Sequence, residues 1–148
     1  MKLRLIFIFL FLTSCGYTGL YKDSDKKQIL VKEKIFRGES SLDNRIYNKL
    51  NIQESTDPSA YTIEINSNRK IELLSKNKSG EAKIYKMTIS SQIIVKQEGT
   101  TLINKKIFKN ITYNNLENKF ELLRYERDLE NNLINQIVDN VRMELLNI

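Results

Sequence analysis

The spacing of apolar and polar residues predicts four β-strands along the chain. Apolar residues alternate with polar ones in residues 28–36, 61–73 and 85–95, with polar interruptions such as Ser67, Arg69 and Ser91, and less regularly in residues 101–112. A period of two places alternate side chains on opposite faces of a strand. Turn residues separate the last three strands, which are therefore predicted to run antiparallel as a meander.

A wider spacing of apolar residues predicts two helices. Leu42, Ile46 and Leu50 define a short helix after a stretch of glycine, glutamate and serine. From about Asn118 to the end, an apolar stripe continues without glycine or proline and predicts a long amphipathic helix. This stripe consists of Leu129, Leu133, Ile134, Ile137, Val141 and Leu145. The opposite side of the helix, which includes Glu130, is expected to face solvent.

These elements predict an α+β fold built as a two-layer sandwich. In the order β-α-β-β-β-α, both helices pack on one face of a four-stranded, mostly antiparallel sheet. The first strand is expected to place Ile29, Val31 and Ile35 on one face. Residues 28–148 suit a single domain, and nothing in them resembles a linker or an internal repeat. The pattern leaves open whether residues 69–74 form one strand or a bulged pair.

The N-terminus has the pattern of a bacterial lipoprotein signal. Lys2 and Arg4 precede an unbroken apolar run over residues 5–12, which is shorter than the ~20 apolar residues needed to span a bilayer. The run ends in Leu12-Thr13-Ser14-Cys15, in which the two small residues after the leucine permit cleavage just before the cysteine. The alternative is an ordinary secretory signal that lies beside a free thiol.

Cleavage at this point defines the mature chain. Residues 1–14 are predicted to be removed, and Cys15 then carries N-acyl and S-diacylglycerol lipid while residues 15–27 form a lipidated tether. Several acyl chains together anchor a protein durably, whereas a single chain binds a membrane only marginally. Gly16 after the lipidated cysteine, in place of aspartate, permits sorting to the outer membrane.

The composition argues against an enzyme. The chain has one cysteine and no histidine, so with Cys15 lipidated it lacks a thiol, the usual near-neutral acid or base, and the commonest metal ligand. We therefore expect no catalytic residues, metal or cofactor. Without residues 1–14, 22 basic residues remain against 18 acidic ones. This mild basicity serves solubility or attracts an anionic partner such as a phosphorylated glycolipid, and export from the cytoplasm excludes nucleic acid.

Short motifs at both ends resemble the LPS-assembly lipoprotein family. Cys15-Gly16-Tyr17, followed by Leu20-Tyr21, is similar to the mature N-terminus of that family, although Gly19 stands where one branch has proline. Near the other end, Tyr125-Glu126-Arg127-Asp128-Leu129 and the later Gln136-Ile137 and Arg142-Met143-Glu144-Leu145 resemble the family's last helix. Ile111-Thr112-Tyr113-Asn114 looks like the segment before that helix. The alanine-rich opening of the helix is replaced here by Phe120-Glu121-Leu122-Leu123.

The resemblance implies a lipid-anchored protein on the periplasmic side of the outer membrane. Such proteins plug a large β-barrel, help it to fold, and assist delivery of lipopolysaccharide to the outer leaflet. Large barrels are polar inside. Polar residues of the third strand are therefore candidates to face the barrel, and ordinary solvent exposure is the alternative. These residues are Thr88, Ser90 and Gln92.

Basic residues near the second and third strands are candidate contacts to lipopolysaccharide, because Lys and Arg pair with phosphates. The candidates are Arg69, Lys70, Lys76 and Lys78. Each of them alone is also explained as a solvated surface charge. Two other functions remain open: an accessory or pilot lipoprotein of another outer-membrane machine, for barrel assembly or for a secretin, and a small lipid carrier with an enclosed apolar cavity.

Overall fold

The structure, a computed structural model, describes residues 29–148. The predicted signal peptide, Cys15 and the tether lie outside the described residues. In chain order the elements are β1 (Leu30–Phe36), α1 (Ser40–Lys49), β2 (Gln53–Glu54), β3 (Tyr61–Lys76), β4 (Ala82–Gln97), β5 (Thr100–Asn114) and α2 (Lys119–Leu145).

The predicted fold class is confirmed. The sheet has the order β2-β1-β3-β4-β5, and both helices pack on one of its faces to give a two-layer α+β sandwich. The strands β3, β4 and β5 form the predicted antiparallel meander, while β1 runs parallel to β3 after a crossover through α1. The fifth strand is β2, which has only two residues and pairs with β1.

The three strands of the meander are unusually long. With 15 or 16 residues each, they extend over about 50 Å at the usual rise of a strand. Gly80 and Gly99 have positive φ angles of 85° and 83° in the turns that join them. The open question about residues 69–74 is settled, because β3 continues as one strand to Lys76. Its pairing with β4 shifts only between Leu73 and Lys76.

The alternation of β1 differs from the prediction. Its register against β3 shifts between Val31 and Glu33, which reverses the two faces for the rest of the strand. Phe36 then lies on the helix side, where its ring meets that of Tyr47 in α1 edge-on at 5.9 Å between centroids. Ile35 lies on the other side, so its predicted grouping with Val31 is wrong.

The core fills the space between the helices and the sheet. Alternate residues of β3 and β4 supply one side of it, and the apolar stripe of α2 supplies the other. Its fully buried members include Leu42, Ile46, Ile63, Ile65, Met87, Ile89, Ile93, Leu133, Ile134 and Ile137. Each such side chain contributes about 1.5–3 kcal/mol on burial. Within residues 29–148, neither helix has the length and apolar character needed to cross a membrane.

Candidate functional site

The sheet presents a polar face on the side away from the helices. The predicted residues Thr88, Ser90 and Gln92 form its central column on β4, because they alternate with the buried residues of that strand. The strands β3 and β5 each place one residue beside every residue of this column. The resulting rungs are Lys70–Thr88–Asn110, Asn68–Ser90–Phe108 and Asn66–Gln92–Lys106, and these nine residues are called the polar face below.

The polar face is open in the described part of the chain. Its central column is half-buried by its own neighbours, and both helices of residues 29–148 lie on the opposite side of the sheet. Gln92 donates from Nε2 to Asn104 Oδ1 at 2.8 Å, which fixes one amide at this surface. Phe108 is 57% exposed, and the ammonium of Lys106 lies 5.2 Å from its ring centroid. The surface therefore combines amides, hydroxyls, the ammonium groups of Lys70 and Lys106, and one aromatic ring.

The loop between β1 and α1 forms a wall beside the polar face. A cleft of about 380 Å³ lies between this loop and the two rungs that contain Ser90 and Gln92. The loop is held by a hydrogen bond from Glu39 N to Ser67 O at 2.8 Å. Only glycine fits at residue 38, because a Cβ there would lie 2.2 Å from Ser67 O.

Arg69 belongs to a buried ionic cluster on the helix side of the sheet. The carboxylate of Glu130 in α2 accepts hydrogen bonds from Arg45 of α1 and from Arg69 of β3. Glu130 is only 6% exposed, whereas the side chains of Arg45 and Arg69 are 33% and 39% exposed. Arg45 also donates to Asn131 Oδ1 at 2.8 Å. Two cations share one carboxylate, so the cluster keeps a net positive charge.

The burial of Glu130 corrects an expectation from the sequence. Periodicity placed Glu130 on the solvent side of α2, but the structure turns it towards the junction of α1, α2 and β3. A spacing rule cannot reveal such a residue, since its two partners lie 85 and 61 positions away in sequence. Because Arg69 and Glu130 are so far apart in sequence, the sequence alone did not show that Arg69 forms an ion pair.

The other candidate cations lie elsewhere. Lys70 belongs to the polar face and pairs with Glu72 on the same strand at 2.7 Å; the hydrogen bond from Lys70 holds the pKa of Glu72 below its usual value. Lys76 ends β3, and Lys78 lies in the turn before β4, where both are exposed. Neither forms an ion pair within residues 29–148. The four predicted cations therefore do not converge on one site.

Charged and polar residues also line a second cleft, of about 560 Å³, next to β1 and β2. Lys34 bridges to Glu54 at 2.6 Å there, and its ammonium lies 5.0 Å from the ring centroid of Tyr47. The buried hydroxyl of Tyr47 has no hydrogen-bond partner in the described residues, and burial raises its pKa. Among residues 29–148, no group of three or more ligating side chains is placed to hold a metal ion.

Solved structures of bacterial lipoproteins share this fold. The rare lipoprotein B from Shewanella oneidensis is 13% identical, with a TM-score of 0.61 over 78% of this chain and 94% of that chain. A minor lipoprotein from Acinetobacter baumannii is 10% identical, with a TM-score of 0.59 over 78% of this chain and 88% of that one.

An uncharacterized lipoprotein B from Nitrosomonas europaea is 14% identical, with a TM-score of 0.56 over 78% of this chain and 80% of that one. No family model and no curated protein sequence matches the chain. Similarity at these identities establishes the fold alone.

The polar face is thus the part of the predicted site that the fold brings together. Its three predicted residues share one strand and one side of the sheet. The sheet adds Lys70, a predicted contact to lipopolysaccharide, and five neighbours that the sequence did not single out. Asparagine is the commonest of these neighbours. In principle, the sequence could have revealed this cluster of asparagines across the strands. Asn66, Asn68, Asn104 and Asn110 all alternate with the predicted core-facing residues of their strands.

Proposed function

We propose that this protein is an outer-membrane lipoprotein that plugs the lipopolysaccharide-translocating β-barrel, helps it to assemble, and assists insertion of lipopolysaccharide into the outer leaflet. The role is non-enzymatic and requires no cofactor. Three features support it: the lipoprotein signal that ends at Cys15, the family resemblance near both ends of the chain, and a fold shared with solved lipoproteins. The polar face carries the proposal.

The chemistry of the polar face suits the inside of a large barrel. Such barrels have polar lumens in which side chains and water exchange hydrogen bonds. Asparagine and glutamine offer both donors and acceptors, as do serine and threonine, so this surface can bond to a hydrated wall in more than one arrangement. A surface of this kind allows a plug to be held without the dry apolar interface of an obligate dimer.

Basic groups on the helix side and at the tip of the meander supply the contacts to lipopolysaccharide. The cluster of Arg45, Arg69 and Glu130 has one positive charge in excess, and Lys76 and Lys78 form no ion pair with another residue of the range 29–148. Guanidinium and ammonium groups bind phosphates through charge-assisted hydrogen bonds. A Lys76→Ala/Lys78→Ala double variant should bind lipopolysaccharide more weakly than the wild type. The control is Lys32→Ala/Lys49→Ala, which replaces one lysine near the start of β1 and one at the end of α1 and should leave binding unchanged.

The structure does not favour a lipid carrier. A carrier needs an enclosed apolar cavity, and both clefts described above are lined mainly by polar and charged side chains. The core between helices and sheet consists of buried Leu, Ile, Val and Met side chains together with Tyr47 and Tyr113. An accessory or pilot lipoprotein with the same anchor and fold would differ only in which barrel it binds.

An affinity purification of the lipidated protein from its native outer membrane tests the proposed function. Copurifying proteins are identified by mass spectrometry, and Cys15→Ala is the control for attachment to the membrane. We expect the LPS-assembly barrel in near-equal amount with the wild-type protein. Recovery of a secretin or of the barrel-assembly machine in its place would overturn the proposal in favour of the accessory role.

A further inference from the structure

One half of β3 has an unpaired edge. On its β1 side, the last backbone hydrogen bond runs from Glu39 N to Ser67 O at 2.8 Å. The strand nevertheless continues to Lys76, and no strand of residues 29–148 pairs with this side beyond Ser67. Residues 68–74 therefore form an open edge, called the β3 edge below.

The direction of the backbone groups at the β3 edge follows from its neighbours. In a strand of this kind, the N–H and C=O of alternate residues point to the same side. Ile65 and Ser67 accept hydrogen bonds from the loop that follows β1. Arg69, Ile71 and Leu73 continue that alternation, so their N–H and C=O groups point out of the sheet. These groups extend over about 13 Å, which matches an added segment of about five residues.

The β3 edge, which carries Arg69 and Lys70, differs from the β5 edge in how its apolar side chains are grouped. Natural sheets block unwanted pairing with edge lysines, and β5 carries three of them, Lys105, Lys106 and Lys109. Both edges also expose large apolar side chains: β5 exposes Leu102 and Phe108, six positions apart, whereas the β3 edge exposes three within four consecutive positions. Ile71 is 40% exposed, Leu73 43% and Leu74 53%. Apolar side chains beside unpaired backbone groups are the features that domains use when they bind a peptide as an extra strand.

Charge indicates what kind of segment fits. Residues 68–78 contain four basic residues and a single acidic one, Glu72. Lys70 pairs with Glu72 and Arg69 with Glu130, while Lys76 and Lys78 form no ion pair within residues 29–148, so the segment keeps a positive charge. We propose that the β3 edge binds an extended segment of a partner protein in which apolar side chains alternate with acidic ones. The apolar side chains lie next to Ile71 and Leu73 on the helix side, and the acidic ones lie next to Lys70 on the other side.

A second copy of this chain fits the β3 edge poorly. Antiparallel pairing centred on Ile71 would bring residue 75 of the copy level with Ser67, where Glu39 already occupies the backbone. The turn at residues 77–81 of the copy would then collide with β1. A free segment of about five residues ends before this obstruction. The β3 edge is a feature of the fold and does not depend on the proposed function. Failure of this proposal would therefore leave the proposed role with the LPS-assembly barrel unchanged.

Amide hydrogen exchange by NMR tests the proposal on the soluble mature chain. The probe is a capped seven-residue peptide of alternating valine and glutamate. At saturating peptide, we expect exchange of the Arg69, Ile71 and Leu73 amides to slow by roughly tenfold or more. The amides at the open edge of β5 should not change. A peptide with lysine in place of each glutamate should give no protection.

Two proline variants make the result specific. Ile71→Pro removes one outward N–H at the β3 edge and should abolish protection of the remaining edge amides. Asn110→Pro removes the equivalent outward N–H at the β5 edge and should leave protection intact. Equal protection at both edges, or none at any peptide concentration, would overturn the proposal. Protection that depends on protein concentration without peptide would assign the edge to a second copy and overturn it as well.

Discussion

At the scale of single residues, Glu130 joins three elements that are far apart in sequence. Its carboxylate is buried and accepts from one arginine of α1 and one of β3. A buried carboxylate without these partners would lose its solvation without compensation. The same contact positions Arg69, so the cluster couples the packing of the helices to a cation that we propose as a contact to lipopolysaccharide.

Glu130→Ala tests this role. The substitution leaves two guanidiniums facing each other without the carboxylate between them, and we expect the free energy of unfolding to fall by about 1–3 kcal/mol. Glu144→Ala on the same helix removes an exposed pair with Lys105 at 2.9 Å and should cost less than about 1 kcal/mol. Urea unfolding of both variants measures the difference. A loss in Glu130→Ala no larger than in Glu144→Ala would contradict the structural role.

Gly38 sets how closely the β1–α1 loop approaches β3. A Cβ at this residue would meet both Ser67 O at 2.2 Å and Ser67 N at 2.3 Å, and backbone atoms cannot move aside cheaply. Gly38→Ala should therefore lower the free energy of unfolding by about 1–3 kcal/mol, as overpacking does elsewhere. Ser41→Ala, at an exposed position of α1, is the control and should stay near wild type. Equal stability of the two variants would show that the loop is not tightly packed.

Tyr113 gives stability a dependence on alkaline pH. It donates its hydroxyl to Glu126 Oε1 at 2.5 Å, and burial, followed by that hydrogen bond, raises its pKa well above the usual value. The unfolded phenol ionises near pH ~10, while the folded phenol keeps its proton. This contribution to stability is therefore complete below pH ~10 and is lost as the pH rises towards the folded pKa.

Substitution of Tyr113 isolates this dependence. Between about pH 9 and about pH 11, the free energy of unfolding of the wild type should fall more steeply than that of Tyr113→Phe. Urea titrations at each pH measure both slopes. Tyr61→Phe, at the start of β3, serves as the control and should keep the wild-type slope. Parallel curves for wild type and Tyr113→Phe would contradict the assignment.

At the scale of elements, the periodicity of apolar residues predicted most of the fold but could not reveal small irregularities within a strand. The long strands and both helices repeat their pattern over many residues, so one exception does not change the assignment. A single shift in β1 was enough to move Ile35 to the other face. The strand β2 is too short to show a period, since it has only two residues. It is defined by its pairing with β1.

The candidate site was predictable only in part, for a related reason. Thr88, Ser90 and Gln92 share a face because they belong to one strand, which a local pattern captures. The partners of Arg69 come from two other elements and depend on how the layers pack. The lipid-attachment residue Cys15 remains a prediction, since it lies outside the described residues.

Proline substitutions distinguish the two edges of β3. Ile71 directs its N–H to the open side, whereas the N–H of its neighbour Lys70 belongs to the ladder with β4. Lys70→Pro should therefore cost about 3 kcal/mol or more, and Ile71→Pro less than half of that loss. Thermal and urea unfolding report the two values. The reverse order would mean that the alternation of β3 is assigned to the wrong side.

At the scale of the whole molecule, the start of β1 and the tip of the meander lie at opposite ends of β3. The described chain enters the sheet in β1, beside the start of β3, while Lys76 and Lys78 lie about 50 Å away at the β3–β4 turn. The polar face lies along the path between the two ends.

Photocrosslinking in the native outer membrane tests the central claim most directly. A photoreactive amino acid replaces Ser90 at the centre of the polar face in the lipidated protein, and Asn48 on the exposed side of α1 in a control. We predict a covalent adduct with the LPS-assembly barrel from Ser90 that is much weaker or absent from Asn48. Equal adducts from both positions, or an adduct of Ser90 with a different machine, would contradict the claim.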